Sequence, residues 1–327
     1  MKAGWYEQHG PANEVIQIGE IETPTPGPGD VRVRLYASGV NPSDVKKRAG
    51  SREPMVEARL IPHSDGAGVI DQVGPEVDSM RVGERVWLYN GQWERPFGTA
   101  AEYITLPAAQ AIPLPDQVSF AEGACLGIPA MTAHRCLFAD GPIRGQTILV
   151  TGGAGAVGHY AVQLGKWAEA TVITTISSEA KAEQARLAGA DHIINYRSED
   201  VVARLKEITG GEGVDRIVEV DFGGNLPLIL ATLKANSTVA CYASMGNREP
   251  SLPFYPLMFK NTTVRLVLVY SMPAAAKQQA CQDIVAAIEA GRLSHPIAAR
   301  FPLEELAAAH EAVESGTLIG NVVIEIA

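Results

Sequence analysis

A glycine-rich turn in the stretch LVTGGAGAVGHYAVQLGKWA, from Leu149 to Ala168, constrains the fold more than any other feature of the sequence. Gly153, Gly155 and Gly158 satisfy the pattern G-x-G-x-x-G, with a strand pattern before it and a helix pattern after it. These glycines permit a tight turn, let the backbone approach a pyrophosphate and allow close helix–strand packing. The following helix points its first N–H groups at the phosphates. We therefore predict a dinucleotide site, with a glycine-rich turn that binds nothing as the alternative.

Strand and helix patterns alternate through the middle of the chain. The strand patterns are QTILVTG, TVITTI, HIINY, DRIVEV and STVACYA, and helices are expected over 155–168, 178–188, 198–208 and after Asn225. The apolar runs lack a two-residue alternation, as expected of strands that are covered on both faces of a parallel sheet. This repetition predicts a doubly wound α/β domain.

The chain ends have a different organisation. At 327 residues the chain is too long for one ordinary core. Residues 1 to about 124 are rich in Pro, Gly and β-branched residues and read as short strands of a barrel-like module. A helical stretch over 119–138 follows, with Ser119 and Glu122 as a capping box. Because the closing strand GNVVIEI is suited to rejoin the first module, we expect one domain over 1–124 completed by 269–327, and another over 125–268.

Bulk properties exclude several classes of protein. The formal net charge of −10 argues against a nucleic-acid groove or an anionic membrane surface. The N-terminus lacks an apolar signal core, and no window approaches the roughly 20 apolar residues of a membrane span. We expect a cytoplasmic protein whose partners are small molecules. The four cysteines are scattered and suggest neither zinc binding nor disulfides.

The end of the second strand of this α/β domain, TVITTI, bears on the choice between NAD and NADP. An NAD site usually has a carboxylate there, but this strand ends in Ser177 and Ser178, with Lys181 following on the next helix. Tyr196 and Arg197 end the third strand and can add a stacking ring and a second cation. Hydroxyls and cations suit a 2′-phosphate, which favours NADPH. The alternative for Lys181 and Arg197 is a solvated surface.

The whole chain resembles the zinc-independent quinone oxidoreductases of the medium-chain dehydrogenase/reductase superfamily, close to the ζ-crystallin type. The resemblance is carried by ASGVNPSDVKKRAG, HSDGAGVIDQVG, VGERV, GTAAEYITLP, GIPAMTAHRCL, VTGGAGAVG, AGADHIINYR, VEVDFGGNL and GNVVIEI, in family order. It implies an α/β fold in which a Rossmann domain interrupts a GroES-like, β-rich catalytic domain, with the active site in the cleft between them. It also implies NADPH, a homodimer or homotetramer, and reduction of quinones or similar conjugated carbonyls.

The resemblance assigns roles to individual residues. Asn41 and Asp44 match a catalytic polar pair near the nicotinamide, although Asn-Pro-x-Asp is also a typical helix start. Thr132, Gly155, Gly158, Lys181 and Tyr196 match positions beside the cofactor. Together with the glycine-rich turn and the end of TVITTI, the predicted cofactor-binding set is Thr132, Gly153, Ala154, Gly155, Ala156, Val157, Gly158, Ser177, Ser178, Lys181, Tyr196 and Asn321.

The chain departs from the family pattern in three places. Lys46 stands where many members have Tyr, and Gly316 and Thr317 occupy a region where some members place an Arg that meets the 2′-phosphate. The loop WLYNGQWERPFG is unusually aromatic and suggests a distinct substrate pocket. The pocket candidates are Tyr89, Trp93 and Tyr270, with core or rim packing as the alternative for each.

No metal is expected. Zinc-dependent relatives carry a Cys where this chain has Asn41-Pro42, a His-Glu pair where it has Ser64-Asp65, and another Cys near Ile128 or Pro129. A catalytic zinc needs three converging ligands, and His63 with Asp65 does not provide them. We expect His63 to be a hydrogen-bonded turn residue.

These features together predict an NADPH-dependent quinone reductase that transfers a hydride directly, without zinc. One alternative is an enone or enoyl reductase for a specific unsaturated ketone, aldehyde or acyl thioester. Another is a non-catalytic NADPH-binding protein. The apolar segment TTVRLVLVYS is expected to extend the sheet across a twofold axis in a dimer.

Overall fold

The computed structural model describes residues 1–51 and 54–326, and the chain divides into two compact units. The first comprises Met1–Ile128 with His295–Ala327, and the second Pro129–Ser294. Residues 269–294, expected in the first domain, lie in the second unit because they are hydrogen-bonded there. Asp283 Oδ2 lies 2.8 Å from His134 Nε2, and the Ser294 N–H donates to Gln163 Oε1 at 2.7 Å.

The part of the first unit that precedes the second is rich in short strands, as expected. Its elements are β1 (Lys2–Trp5), α1 (Ala12–Val15), β2 (Gln17–Glu20), β3 (Asp30–Val40), α2 (Pro42–Arg48), β4 (Asp65–Val73), β5 (Arg85–Leu88), β6 (Tyr103–Pro107), β7 (Ala111–Pro113) and α3 (Phe120–Gly123). Among the described residues, no helix has the length and apolar character that a membrane crossing requires.

The second unit alternates strands and helices after the helix α4. Its elements are α4 (Gly127–Phe138), which begins in the first unit, β8 (Thr147–Val150), α5 (Ala156–Trp167), β9 (Thr171–Ile176), α6 (Glu179–Leu187), β10 (His192–Asn195), α7 (Val201–Ile208), β11 (Val214–Glu219), α8 (Leu226–Thr232), β12 (Leu233–Cys241), α9 (Phe254–Phe259), β13 (Thr263–Leu266) and α10 (Ala274–Glu289). The strands form a six-stranded parallel sheet in the order β10-β9-β8-β11-β12-β13. This is the doubly wound Rossmann order, and it confirms the predicted α/β domain.

The end of the chain rejoins the first unit through β14 (Ile297–Pro302), α11 (Leu306–Glu314) and β15 (Asn321–Glu325). A seven-stranded sheet has the order β14-β15-β3-β4-β5-β7, with β6 also paired to β3. The closing strand β15 runs antiparallel to β3, which confirms that it returns to the first module. The core of this unit buries Val33, Leu35, Ile70 and Ile324.

The stretch 119–138 forms two helices where the sequence indicated one helical region. The capping box is confirmed, because the Ser119 N–H donates to Glu122 Oε2 at 2.9 Å and the Glu122 N–H donates to Ser119 Oγ at 3.3 Å. The break between α3 and α4 brings Gly127 against Asp65, where a Cβ on Gly127 would lie 2.1 Å from Oδ1. A side chain far away in sequence therefore sets the start of α4.

Candidate functional site

The glycine-rich turn joins β8 to α5 in the second unit. Gly152 provides the left-handed backbone of the turn, with φ of 68°. A Cβ on Gly153 would lie 2.0 Å from Thr174 Oγ1, and one on Gly158 would lie 2.2 Å from Gly152 O. The tight turn therefore depends on Gly152, whereas the sequence pattern assigned this role to the next residue, Gly153. Gly158 has the predicted role in close packing.

The N-terminus of α5 provides hydrogen-bond donors. Gly155 is exposed at the N-cap, and the closest atom to a Cβ there would be Gly152 O at 3.3 Å. The bond from the His159 N–H to Gly155 O, at 2.8 Å, closes the first helical turn. The N–H groups of Ala156 and Val157 come before this first bond, and the first N–H groups of a helix have no acceptor within it. With the positive end of the helix dipole they fit a pyrophosphate.

The end of β9 carries hydroxyl groups followed by a lysine, as the sequence indicated. Ser177 and Ser178 are half-buried, and the Ser178 hydroxyl caps α6 by accepting from the Lys181 N–H at 3.4 Å. Glu179 is the first residue of α6, and its Oε1 lies 3.0 Å from Arg186 Nη2. The nearest carboxylate along the chain is therefore paired on the helix. The hydroxyls of Ser177 and Ser178 and the Lys181 ammonium group suit a phosphate better than a pair of ribose hydroxyls.

Three other residues predicted to bind the cofactor lie at separate places. Tyr196 follows β10 and is 53% exposed, so its ring is available for stacking. Thr132 is buried in α4. Asn321 begins β15, and its Nδ2 donates to Pro296 O at 3.1 Å. Their contact with a cofactor stays a prediction.

Glu219 is a buried carboxyl group that the sequence reasoning missed. It ends β11 and accepts hydrogen bonds from the Thr151 hydroxyl at 2.9 Å, the Asp221 N–H at 2.6 Å and the Asn225 side chain at 2.8 Å. Burial raises the pKa of Glu219 despite these three donors. Ligands bind beyond the carboxyl ends of parallel strands. The place of Glu219 at the end of the predicted strand DRIVEV could therefore have marked it as a candidate site residue.

A second polar cluster, consisting of Asn41, Asp44 and Asp65, lies in the first unit. The Asn41 N–H donates to Asp44 Oδ2 at 2.8 Å, and Asn41 is the N-cap of α2 with Pro42 following. The Asn41 side-chain Nδ2 donates to Asp65 Oδ2 at 2.7 Å. All three residues of the cluster are buried. The predicted helix start is confirmed, and the catalytic role of Asn41 and Asp44 stays a prediction.

Asp65 is the centre of this cluster. The Ile128 N–H donates to both of its carboxyl oxygens at 2.9 Å. Burial raises the pKa of Asp65 well above its usual value; the nearby Asp44 raises it further, and the hydrogen bonds from Ile128 and Asn41 oppose the shift. From its sequence, Asp65 was expected at most to be a metal ligand, whereas in the structure it accepts from the Asn41 carboxamide and orients it.

The positions at which zinc-dependent relatives carry ligands are therefore connected here by hydrogen bonds that run from Asn41 through Asp65 to Ile128. No group of three or more His, Cys, Asp or Glu side chains that could hold a metal occurs within 1–51 and 54–326. His63 Nδ1 lies 2.8 Å from Ser38 Oγ, which confirms that His63 is hydrogen-bonded; it lies just before β4, with φ of 78°.

The three candidates for the substrate pocket differ in their surroundings. Tyr89 is buried, donates its hydroxyl to Ala109 O at 3.1 Å and packs 6.2 Å from Trp87 between ring centroids. Trp93 is half-buried in the same loop. Tyr270 is buried in a short 3-10 helix of the second unit. The structure favours core packing for Tyr89, and substrate contact by any of the three stays a prediction.

Comparison with known proteins agrees with this architecture. The alcohol dehydrogenase GroES-like domain family matches residues 27–116, and the zinc-binding dehydrogenase family matches residues 156–288. These two matches fall on the first and second units respectively.

Relatives align over nearly the whole chain. A 2-haloacrylate reductase from a Burkholderia species is 32% identical over 333 residues, which cover 99% of this chain and 98% of that protein. Human quinone oxidoreductase is 30% identical over 316 residues, covering 95% and 93%. The structure of Escherichia coli quinone oxidoreductase complexed with NADPH matches with a TM-score of 0.87 and 26% identity, covering 99% and 100%. This chain therefore belongs to the quinone oxidoreductases of the medium-chain dehydrogenase/reductase superfamily and is an oxidoreductase.

Proposed function

We propose that this protein is an NADPH-dependent reductase that transfers a hydride to quinones or similar conjugated carbonyl compounds without zinc. The observation that carries the proposal is the hydrogen bond from Asn41 to Asp65. It places a carboxamide–carboxyl pair where zinc-dependent relatives have metal ligands. A conjugated acceptor is already electron-poor, so its reduction does not require the Lewis acid that such a metal supplies.

The cofactor assignment rests on the second unit. The N–H groups at the start of α5 suit the pyrophosphate, while Ser177, Ser178 and Lys181 suit the 2′-phosphate. The related Escherichia coli enzyme was solved with NADPH. When bound, NADPH supplies the hydride from its nicotinamide ring.

The chain's own contribution to the reaction is orientation and hydrogen bonding. A carboxamide carries two N–H hydrogens, and Asn41 directs one of them to Asp65. We propose that the other donates to the substrate oxygen as negative charge develops on it. A donor fixed in advance, in a site that excludes water, stabilises such an oxyanion without reorganising during the reaction.

A second candidate is the reduction of a specific α,β-unsaturated acid or carbonyl compound. The 2-haloacrylate reductase relative, at 32% identity over 99% of this chain, favours it. The hydride chemistry is the same, and only the acceptor differs. Values of kcat/KM for 2-chloroacrylate, simple enones and quinones, measured side by side, separate the two candidates.

The direct test mixes the purified protein with NADPH and 1,4-benzoquinone, 9,10-phenanthrenequinone or a panel of enones. We expect absorbance at 340 nm to fall with NADPH much faster than with NADH, and the rate to survive dialysis against a chelator. No turnover across the panel contradicts the enzymatic proposal, and NADPH binding without turnover then indicates the non-catalytic alternative. Loss of activity on chelation, restored by zinc, contradicts the metal-free proposal.

A further inference from the structure

Four buried side chains of the first unit form a continuous chain of hydrogen bonds that ends on the backbone of Asp65. His310 Nε2 lies 2.9 Å from His63 Nε2, and His63 Nδ1 lies 2.8 Å from Ser38 Oγ. Ser38 Oγ lies 2.7 Å from Thr99 Oγ1, which donates to Asp65 O at 2.6 Å. We call these four side chains the histidine relay.

The carbonyl at its end fixes the direction of every bond in the histidine relay. A carbonyl oxygen only accepts hydrogen bonds, so the Thr99 hydroxyl donates its one hydrogen to Asp65 O. The Thr99 oxygen must therefore accept from the Ser38 hydroxyl. Ser38 must then accept from His63, which requires a hydrogen on His63 Nδ1. A neutral His63 consequently has a bare Nε2, to which the Nε2–H of His310 donates. The geometry assigns the Nδ1–H tautomer to His63 and the Nε2–H tautomer to His310.

The surroundings of both histidines carry an energetic cost and disfavour the charged form of each imidazole. His63 has a left-handed backbone with φ of 78°, and His310 Nδ1 is buried with no hydrogen-bond partner among the described residues. Burial lowers the pKa of His63, with a further contribution from His310. Burial together with the Arg48 charge lowers the pKa of His310 to about 3. The pair is therefore neutral, as the tautomer assignment requires.

The histidine relay holds the segment that carries the Asp65 carboxyl group. The Thr99 N–H donates to His63 O at 3.0 Å, and the Gly91 N–H donates to Ser64 O at 2.8 Å. With the Thr99 hydroxyl on Asp65 O, three successive carbonyls are fixed. The side chain of the last of these residues orients Asn41.

We propose that His310 and His63 are positioning residues that act through Ser38 and Thr99 to set the Asp65 carboxyl group and hence the Asn41 carboxamide. The proposal rests on the proposed function, because Asn41 is the group assigned to the substrate oxygen. It gives the C-terminal helix α11, which carries His310, a role in the chemistry of a site formed near the start of the chain.

The first test is independent of activity. Nitrogen-15 NMR of the imidazoles in the full-length protein should show His63 as the Nδ1–H tautomer and His310 as the Nε2–H tautomer. Ser38→Ala should weaken the hydrogen-exchange protection of the Ile128 amide, which donates to Asp65. A His63 carrying its hydrogen on Nε2, or unchanged Ile128 protection in Ser38→Ala, would overturn the proposal.

The second test uses catalysis and a matched pair of variants. His310→Gln keeps an N–H donor at the position of Nε2, and His310→Leu removes it. We expect His310→Leu to lower kcat about 10- to 100-fold with little change in the KM for NADPH, because a small misplacement of a reacting group has effects of this size. His310→Gln should recover most of the rate. Equal kcat values in the two variants contradict the proposal.

Two further measurements distinguish a failure of this proposal from misfolding of a variant and from a failure of the proposed function. If His310→Leu does not fold, Ser38→Ala serves in its place, with Ser237→Ala as the control, because Ser237 is a buried serine of the second unit that donates to Lys234 O at 2.7 Å. Full activity in Ser38→Ala would overturn the proposal. A wild-type protein without reductase activity contradicts the proposed function instead, and the imidazole spectra then still decide the tautomers.

Discussion

The Asn41 carboxamide donates to Asp65 Oδ2 at 2.7 Å, and this bond connects the N-cap of α2 with the first residue of β4. Asp65 in turn accepts from the Ile128 N–H at the start of α4. One carboxyl group thus connects three segments that are distant in sequence. Its two oxygens are committed to donors, so the orientation of Asn41 is set before any ligand binds.

Asn41 provides the most direct test of this cluster. We expect Asn41→Ala to lower kcat about 100-fold, the usual effect of removing one oxyanion donor, while the KM for NADPH changes little. Steady-state kinetics with quinone and enone acceptors measure the effect.

Asn41→Ser is the matched control for the helix-capping role. Serine is as good an N-cap as asparagine, but it lacks the amide donor. We expect it to recover the melting temperature that Asn41→Ala loses, without recovering kcat. If Asn41→Ser restores the rate, Asn41 matters only as a helix start.

The features that sequence reasoning predicted are local in sequence. The Ser119 capping box involves residues three positions apart, and the strand–helix repeats follow from apolar periodicity. The contact of Asp65 with Ile128 and that of His63 with His310 join distant segments, and no local pattern marks them. Residues 269–294 were misplaced for the same reason, because long-range bonds such as His134 to Asp283 determine their unit.

Lys181 tests the choice of cofactor. We expect Lys181→Glu to weaken NADPH binding roughly 10- to 100-fold, the range of a lost charge-assisted hydrogen bond, and to leave NADH nearly unchanged. Titration of both nucleotides by fluorescence measures this. Lys206→Glu on α7 makes the same change in charge at an exposed position and controls for general electrostatics. An equal loss for NADPH and NADH refutes the phosphate contact.

Gly155 and Gly158 separate cofactor binding from folding. A Cβ at Gly158 would lie 2.2 Å from Gly152 O, so we expect Gly158→Ala to destabilise the protein by about 1–3 kcal/mol, as overpacking does. At Gly155 the nearest atom is 3.3 Å away and the residue is exposed, so Gly155→Ala should lose much less stability than Gly158→Ala. We expect Gly155→Ala to weaken NADPH binding about tenfold because the methyl group would occupy the position predicted for the pyrophosphate. Unchanged affinity in a folded Gly155→Ala contradicts the placement of the pyrophosphate.

Buried neutral histidines should make the fold sensitive to acid. The pKa of His310 falls from 6.5 in the unfolded chain to about 3 in the folded protein. Between these values the unfolded chain binds a proton that the folded protein does not, so stability is complete above pH 6.5 and declines as the pH falls. For His310 alone the loss between pH 7 and 5 is about 2 kcal/mol.

Urea unfolding of wild type and His310→Gln at pH 7 and pH 5 measures this contribution. Asp65 and Glu219 have raised pKa values and act in the opposite direction, but they are common to both proteins and cancel in the difference. We expect the variant to lose less stability than wild type on acidification. The same loss in both proteins would show that His310 takes up its proton without unfolding.

The edge strand β13 is the proposed site of self-association. Within the described residues it pairs with β12 alone, and Leu266 on it is 79% exposed. The neighbouring helix α9 exposes Phe254, Tyr255 and Phe259. An open edge beside exposed aromatic residues is suited to pairing with a second copy. We expect a homodimer or homotetramer by light scattering, and Val264→Pro combined with Leu266→Lys should shift it towards monomer while NADPH binding persists. A wild-type monomer at micromolar concentration contradicts this prediction.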